Sequence, residues 1–184
     1  MGAKGKRNKI SNKFEEPTLL SDVEKIRNLA IERGLYVGDV LDIEKLIQEI
    51  SLQSPQAPIV IQKIPMDNCL SGSLNYKDGV WVMSVNCKQH VRRQRFTLAH
   101  ELAHYILHRE KNTEFQDSTF FRGNKMDSLE YMANDFAAAL LMPDGKVSEY
   151  IKSGERNLGN LAAQFEVSAA AMKYKVEKLG YKVR

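Results

Sequence analysis

Between residues 21 and 50 the apolar positions recur every three or four residues, the period of a helix with one buried face. Ser21-Asp22-Val23-Glu24 has the spacing of a capping box, and Gly34 supplies a stop, so a first helix is predicted between them. Val40, Ile43, Leu46, Ile47 and Ile50 predict a second, from about Asp39 to Ile50. Pro55 and Pro58 mark a change of period. Ile59-Val60-Ile61-Gln62-Lys63-Ile64 is rich in β-branched residues and predicts a strand, with a turn at Pro65-Met66-Asp67-Asn68. Residues 69–76 and 80–85 flank Asp78-Gly79, a strong hairpin signal.

The helical period then returns. Asn86-Cys87-Lys88-Gln89 places cap-like residues ahead of a long helix starting near residue 88. Leu98, Ala99, Leu102, Ala103, Ile106 and Leu107 make that helix apolar almost all round, so it is expected to be buried. Residues 110–127 show no period and are predicted to be a loop, with Phe115, Phe120 and Phe121 packing over a cleft. A further helix is predicted from Ser128 to Leu141, stopping before Pro143, with Leu129, Met132, Ala133, Phe136, Ala137 and Leu140 as its buried stripe. Leu161, Ala162, Phe165, Val167, Met172 and Val176 predict two short C-terminal helices. The fold class is therefore α+β, a small and mainly antiparallel sheet packed on helices.

Composition adds limits. The length of 184 residues suits one domain, and 43% hydrophobic with 27% charged residues fits a soluble protein. No apolar run approaches the ~18 residues of a membrane span, and no secretory signal is expected, because no apolar stretch follows the basic N-terminus. Two cysteines, Cys69 and Cys87, make no disulfide framework. A cytoplasmic location is expected. The net charge of +4 comes from the first 13 residues, which hold Lys4, Lys6, Arg7, Lys9 and Lys13; the remainder holds 22 basic and 23 acidic residues. Residues 1–17 are therefore expected to be a basic, disordered tail.

The chemistry lies in the long helix, as His100-Glu101-Leu102-Ala103-His104. Residues four apart share a helix face, so His100 and His104 can present two imidazoles to one metal ion. Glu101 lies about 100° round the helix, within reach of a water on that metal but not itself a ligand. Glu130, on the next apolar helix, is a carboxylate in need of a partner; a third zinc ligand would give it one. Asn134, one turn on, is placed to accept a hydrogen bond from the far nitrogen of a ligating His. Other donors compete less well: Glu110, Glu114 and Asp117 are in the predicted loop, Cys87 reads as a small strand-end residue, and His108 lies a further turn along the helix axis. His90 is a loose candidate for substrate contact, and Tyr105, Tyr131 and His90 are candidates for stabilising an oxyanion. Arg92, Arg93 and Arg95 read as a solvated face or as partners of a buried carboxylate.

Arg95-Phe96-Thr97-Leu98-Ala99-His100-Glu101-Leu102-Ala103-His104, followed by Glu130 and by Ala133-Asn134-x-Phe136-Ala137-Ala138-x-Leu140-Leu141-Met142-Pro143, resembles the ImmA/IrrE family of zinc metallopeptidases. The resemblance runs over roughly residues 35–180. It implies a thermolysin-like minimal core with Zn²⁺ held by His100, His104 and Glu130, and Glu101 as the catalytic carboxylate. It also implies a protein substrate, a helix-turn-helix repressor or antitoxin of a mobile element or stress response. Many relatives carry an acid where this chain has Met132, a position assigned here to the apolar stripe. Residues 18–155 are assigned to the peptidase domain and 156–184 to a helix-turn-helix-like hairpin packed on it. DNA contact by that hairpin is disfavoured: Glu166 stands where a turn glycine is usual, and the body has no net positive charge. The alternative to an enzyme is a non-catalytic, zinc-containing regulator that binds a repressor or DNA.

Overall fold

The computed structural model describes residues 23–110, 112–118 and 128–182. The basic tail, the capping residues Ser21 and Asp22, and Phe120 and Phe121 lie outside them. Helix α1 (Val23–Glu32) ends as its sequence implies: Gly34 has φ +64°, and Leu35 N donates to Ala30 O at 2.9 Å. Two-residue strands β1 (Tyr36–Val37) and β2 (Val40–Leu41) then form a small hairpin. That hairpin takes the first turn from the helix expected over 39–50. Helix α2 (Ile43–Leu52) starts instead at Asp42, whose carboxylate accepts from Lys45 N at 3.1 Å. Asp is among the best N-caps, and it decides the boundary that apolar periodicity left loose.

Strands β3 (Ile59–Ile64), β4 (Leu70–Lys77) and β5 (Val80–Asn86) fall where predicted, and Asp78 and Gly79 both have positive φ, as the tight hairpin requires. The sheet order is β3-β5-β4-β6; β3 runs parallel to β5 and the other two pairings are antiparallel. Trp81, Met83 and Val85 of β5 and Leu74 of β4 are completely buried. Helix α3 (Val91–Leu107) begins three residues later than expected. His90 caps it, its Nδ1 accepting from Arg92 N at 3.2 Å. Asn86 does different work from the predicted cap: its Oδ1 accepts from Met66 N and Lys88 N, and its Nδ2 donates to Asp67 O and Leu70 O. It fastens the β3–β4 connection to the end of β5.

The loop predicted over 110–127 contains a strand, β6 (Glu114–Ser118), paired antiparallel with β4 at the sheet edge. Glu-Phe-Gln-Asp-Ser has one large apolar residue and little strand propensity, so the pairing comes from β4 rather than from local preference. Helix α4 (Ser128–Leu141) matches its prediction in extent and packs against α3. Met132 is corrected: it is 46% exposed and lies off the buried stripe, which Ala133, Phe136, Ala137 and Leu140 form.

After Pro143 come α5 (Asp144–Lys152), α6 (Leu158–Gln164) and α7 (Ala169–Lys178). Between α6 and α7, Glu166 adopts φ +48°, the left-handed conformation a glycine would take without cost. Leu161, Phe165, Val167, Met172 and Val176 join the single core. Lys175 is 3% exposed and pairs with Asp144; Lys178 pairs with Asp135. Two of the basic side chains of α7 are thus paired within the molecule. Among the described residues, no helix is long and apolar enough to cross a membrane.

Candidate metal centre

Helices α3 and α4 lie against each other so that three donor groups meet. His100 Nε2 and His104 Nε2 are 3.0 Å apart. Glu130 Oε2 is 3.2 Å from His100 Nε2, and Glu130 Oε1 is 3.2 Å from His104 Nε2. Among the described residues this is the one group of three metal-capable side chains whose donor atoms all lie within 4.8 Å of one another. Both His are 1% exposed. Burial pushes the Glu130 carboxyl up, but hydrogen bonding and electrostatic attraction to His100 and His104 outweigh it and bring the group down to about 2.

The back nitrogens explain why this arrangement fits a cation. His100 Nδ1 is 3.1 Å from Asn134 Oδ1, which can only accept, so His100 carries its proton on Nδ1 and turns the Nε2 lone pair toward the cluster. His104 Nδ1 is 3.0 Å from Nδ1 of His108, which is itself 1% exposed. If His104 ligates through Nε2, its Nδ1–H donates to His108, which then keeps its own proton on Nε2. Two lone pairs and a carboxylate would then face one another in a buried space, an unfavourable set without a positive ion. Ligands at ~2.0–2.1 Å around a tetrahedral ion stand roughly 3.3 Å apart, close to the spacings seen. Losing the group that orients a ligating imidazole usually costs about 10–100-fold in metal affinity. Asn134→Ala is expected to fall in that range in a zinc competition titration; unchanged affinity would show that Asn134 does not orient His100.

Glu101 is completely buried beside this group. What lets the sheet come so close is Gly72. A Cβ there would stand 2.4 Å from Thr97 Cγ2, 2.8 Å from Ser84 O and 3.2 Å from Glu101 Oε1. Only glycine fits between β4 and the helix turn that carries Glu101. Gly72 also adjoins the register shift in the β4–β6 pairing. Sequence reasoning passed it over, although a glycine inside a strand is a known sign of a bulge or a close backbone approach. Phe115 of β6 stacks on the His104 ring, with centroids 4.5 Å apart and planes 21° apart. The phenylalanine was legible as a packing residue, but its strand and partner were not.

Other sequence-nominated residues are placed elsewhere. Tyr105 is buried in the core, edge-on to Trp81 at 5.8 Å, with Arg109 over its ring. Tyr131 is 46% exposed and shares a hydrogen bond with Tyr174, so of the three oxyanion candidates Tyr105 is the one the structure removes. His90 is an exposed cap. Cys87 is an exposed free thiol; neither it nor Glu110 or Glu114 joins the donor cluster, and the Asp117 side chain lies outside the described residues. Arg93 Nη2 donates to Ser71 Oγ at 2.9 Å, and Arg95 Nε donates to Glu166 O at 3.3 Å. The carboxylate near Arg95, that of Glu166, is exposed rather than buried, and Arg95 ties α3 to the α6–α7 turn.

Comparison with known proteins agrees with this picture. The family model described as the IrrE N-terminal-like domain, Peptidase_M78, matches residues 55–177. The chain is 33% identical over 110 residues to "Radiation response metalloprotease IrrE" of Deinococcus radiodurans, covering 55% of this chain and 34% of that protein. It is 32% identical over 99 residues to "Metallopeptidase ImmA" of Bacillus subtilis, covering 52% of this chain and 56% of that one. Over 143 residues it is 31% identical to "Uncharacterized immunity region protein 2" of Bacillus phage phi105, covering 74% of this chain and 88% of the phage protein. The chain thus spans about a third of the Deinococcus protein and just over half of ImmA. With the match running from β3 into α7, across both helices that carry the donor cluster, the chain belongs to the ImmA/IrrE family, Peptidase_M78.

Proposed function

We propose that this protein is a zinc metalloendopeptidase of narrow specificity that cuts a helix-turn-helix repressor or antitoxin. The observation that carries the reading is the buried convergence of His100, His104 and Glu130 with the carboxylate of Glu101 alongside. Structural zinc is usually enclosed by four protein ligands, often Cys, whereas three ligands and an adjacent carboxylate leave a position for reacting water. Two imidazoles and a carboxylate form the borderline donor set that suits zinc.

A zinc ion bound there would polarise the scissile carbonyl and acidify a water molecule. Everything else falls to the protein. Glu101 takes a proton from the attacking water onto a carboxylate oxygen and later delivers it to the departing amine nitrogen. It can do both because Gly72 and Thr97 hold its turn of α3 against the sheet, out of bulk solvent. Asn134 and His108 hold the two imidazoles by their back nitrogens. Strand β6 pairs with β4 along one edge, and among the described residues no strand covers the other. With Phe115 of β6 against His104, an extended segment added along that edge would lie beside the centre. Such a segment suits an exposed linker rather than a folded helix. The repressor or antitoxin as target is supported by the family resemblance and by the phage immunity-region relative, and action in the cytoplasm is part of the same proposal.

The test is to mix zinc-loaded protein with helix-turn-helix repressors from the same genome and read intact masses. One cut, lost with a chelator, is the expected result. A tight complex with no cut would favour the non-catalytic regulator.

A further inference from the structure

A cavity of about 260 Å³ opens next to the metal centre, lined by Arg93 and Phe96 of α3, Asn134 of α4, and Ser168, Ala170, Ala171 and Tyr174 at the start of α7. Resting on the peptidase reading above, we infer that this cavity receives one large apolar side chain of the substrate next to the scissile bond, so that the C-terminal hairpin sets part of the specificity.

Three observations converge. The first is position. Arg93, Phe96 and His100 follow one another at helical spacing along one face of α3, and Asn134, a wall of the cavity, is also the residue 3.1 Å from His100 Nδ1. The cavity therefore begins one side chain from a proposed ligand. Asn134 joins the cavity to His100, while Phe115 of the edge strand β6 stacks on His104. A segment held along β6 and crossing the centre would direct a side chain toward the cavity.

The second is chemistry. The polar wall residues each have an internal bond: Arg93 Nη2 donates to Ser71 Oγ, Ser168 Oγ accepts from Ala171 N, Asn134 Oδ1 faces His100 Nδ1, and the Tyr174 hydroxyl bonds to Tyr131. What the walls offer an occupant is the Phe96 and Tyr174 rings and the methyl groups of Ala170 and Ala171, which favours an aliphatic or aromatic guest. The third is size. Pockets for drug-sized ligands begin at ~300 Å³, so this one suits a single Leu-, Met- or Phe-sized side chain rather than a cofactor.

The experiment uses the full-length, zinc-loaded protein with ¹³C-labelled alanine methyl groups. The probes are two end-blocked hexapeptide mixtures, random except for a fixed Leu or a fixed Ala at the fourth position. Methyl spectra read binding, and mass spectrometry reads cutting separately. The Leu mixture is expected to shift the Ala170 and Ala171 methyl signals and to bind at least tenfold tighter than the Ala mixture, the scale on which apolar pockets discriminate. Ala171→Leu, which fills the cavity, should erase that preference. Phe96→Ala, which widens it, should move the preference toward larger aromatic residues. Leu-selective methyl shifts without cutting would keep the pocket and overturn the peptidase. Cutting without Leu preference or methyl shifts would overturn the pocket and keep the peptidase. With neither shifts nor cutting, both fall.

Discussion

Glu101→Gln is expected to keep the fold and the zinc while lowering peptide hydrolysis by two to four powers of ten. Gln has nearly the same shape, so the close approach of this turn of α3 to Gly72 survives. It is not one of the three converging donors, so metal binding should remain. What it loses is the ability to accept a proton and return it. General acid–base groups contribute about 10²–10⁴-fold, and in the proposed mechanism one carboxylate serves both proton transfers. The measurement is turnover of a cleavable substrate at matched zinc content, with metal quantified in the same sample. Turnover within threefold of the parent would show that Glu101 is not the base.

Glu130→Gln should act on the other half of the site, through the metal rather than the proton. The substitution removes the one anionic member of the proposed ligand set and leaves His100 and His104 facing a neutral amide. The loss in zinc affinity should exceed the ~10–100-fold expected for Asn134, which only orients a ligand. Thermal unfolding reads it without any substrate. Zinc at 1,000 times its dissociation constant stabilises a native state by about 4 kcal/mol. For a chain of this size that is roughly 8–16 °C in Tm. The parent should show that rise, and Glu130→Gln should show little of it. An equal rise in both proteins would mean that zinc binds elsewhere.

The donor set was legible because helical spacing constrains it. His100 and His104 share a face by arithmetic, and Glu130 and Asn134 stood out as polar residues one turn apart beside an apolar stripe. Helix α4 was legible to its ends because Ser128 and Pro143 bracket a strong period. What escaped depended on tertiary contact. Strand β6 has no pattern of its own and exists because β4 offers it an edge. Met132 sits at a position that fits an apolar stripe on paper, yet the neighbouring helices cover only the Ala133–Phe136 side. Asn86 looked like a helix cap because its type suits one, but four bonds to the 66–70 segment and Lys88 claim it first. Gly72 shows the same limit: its role is a distance to Glu101, and distances between elements are not written in local sequence. Glu166 is the converse case. Sequence reasoning saw that glycine was missing from the α6–α7 turn, and the chain makes the turn anyway, with Arg95 bonded to the Glu166 carbonyl.

The central claim is that His100, His104 and Glu130 hold a catalytic zinc with an open position beside Glu101. Crystals of the full-length protein grown with zinc and measured on both sides of the zinc absorption edge test it most directly. The account predicts one strong anomalous peak about 2.0–2.2 Å from His100 Nε2, His104 Nε2 and Glu130, with a water as the fourth ligand on the Glu101 side. No zinc at these residues, or a zinc closed off by a fourth protein ligand, would contradict it.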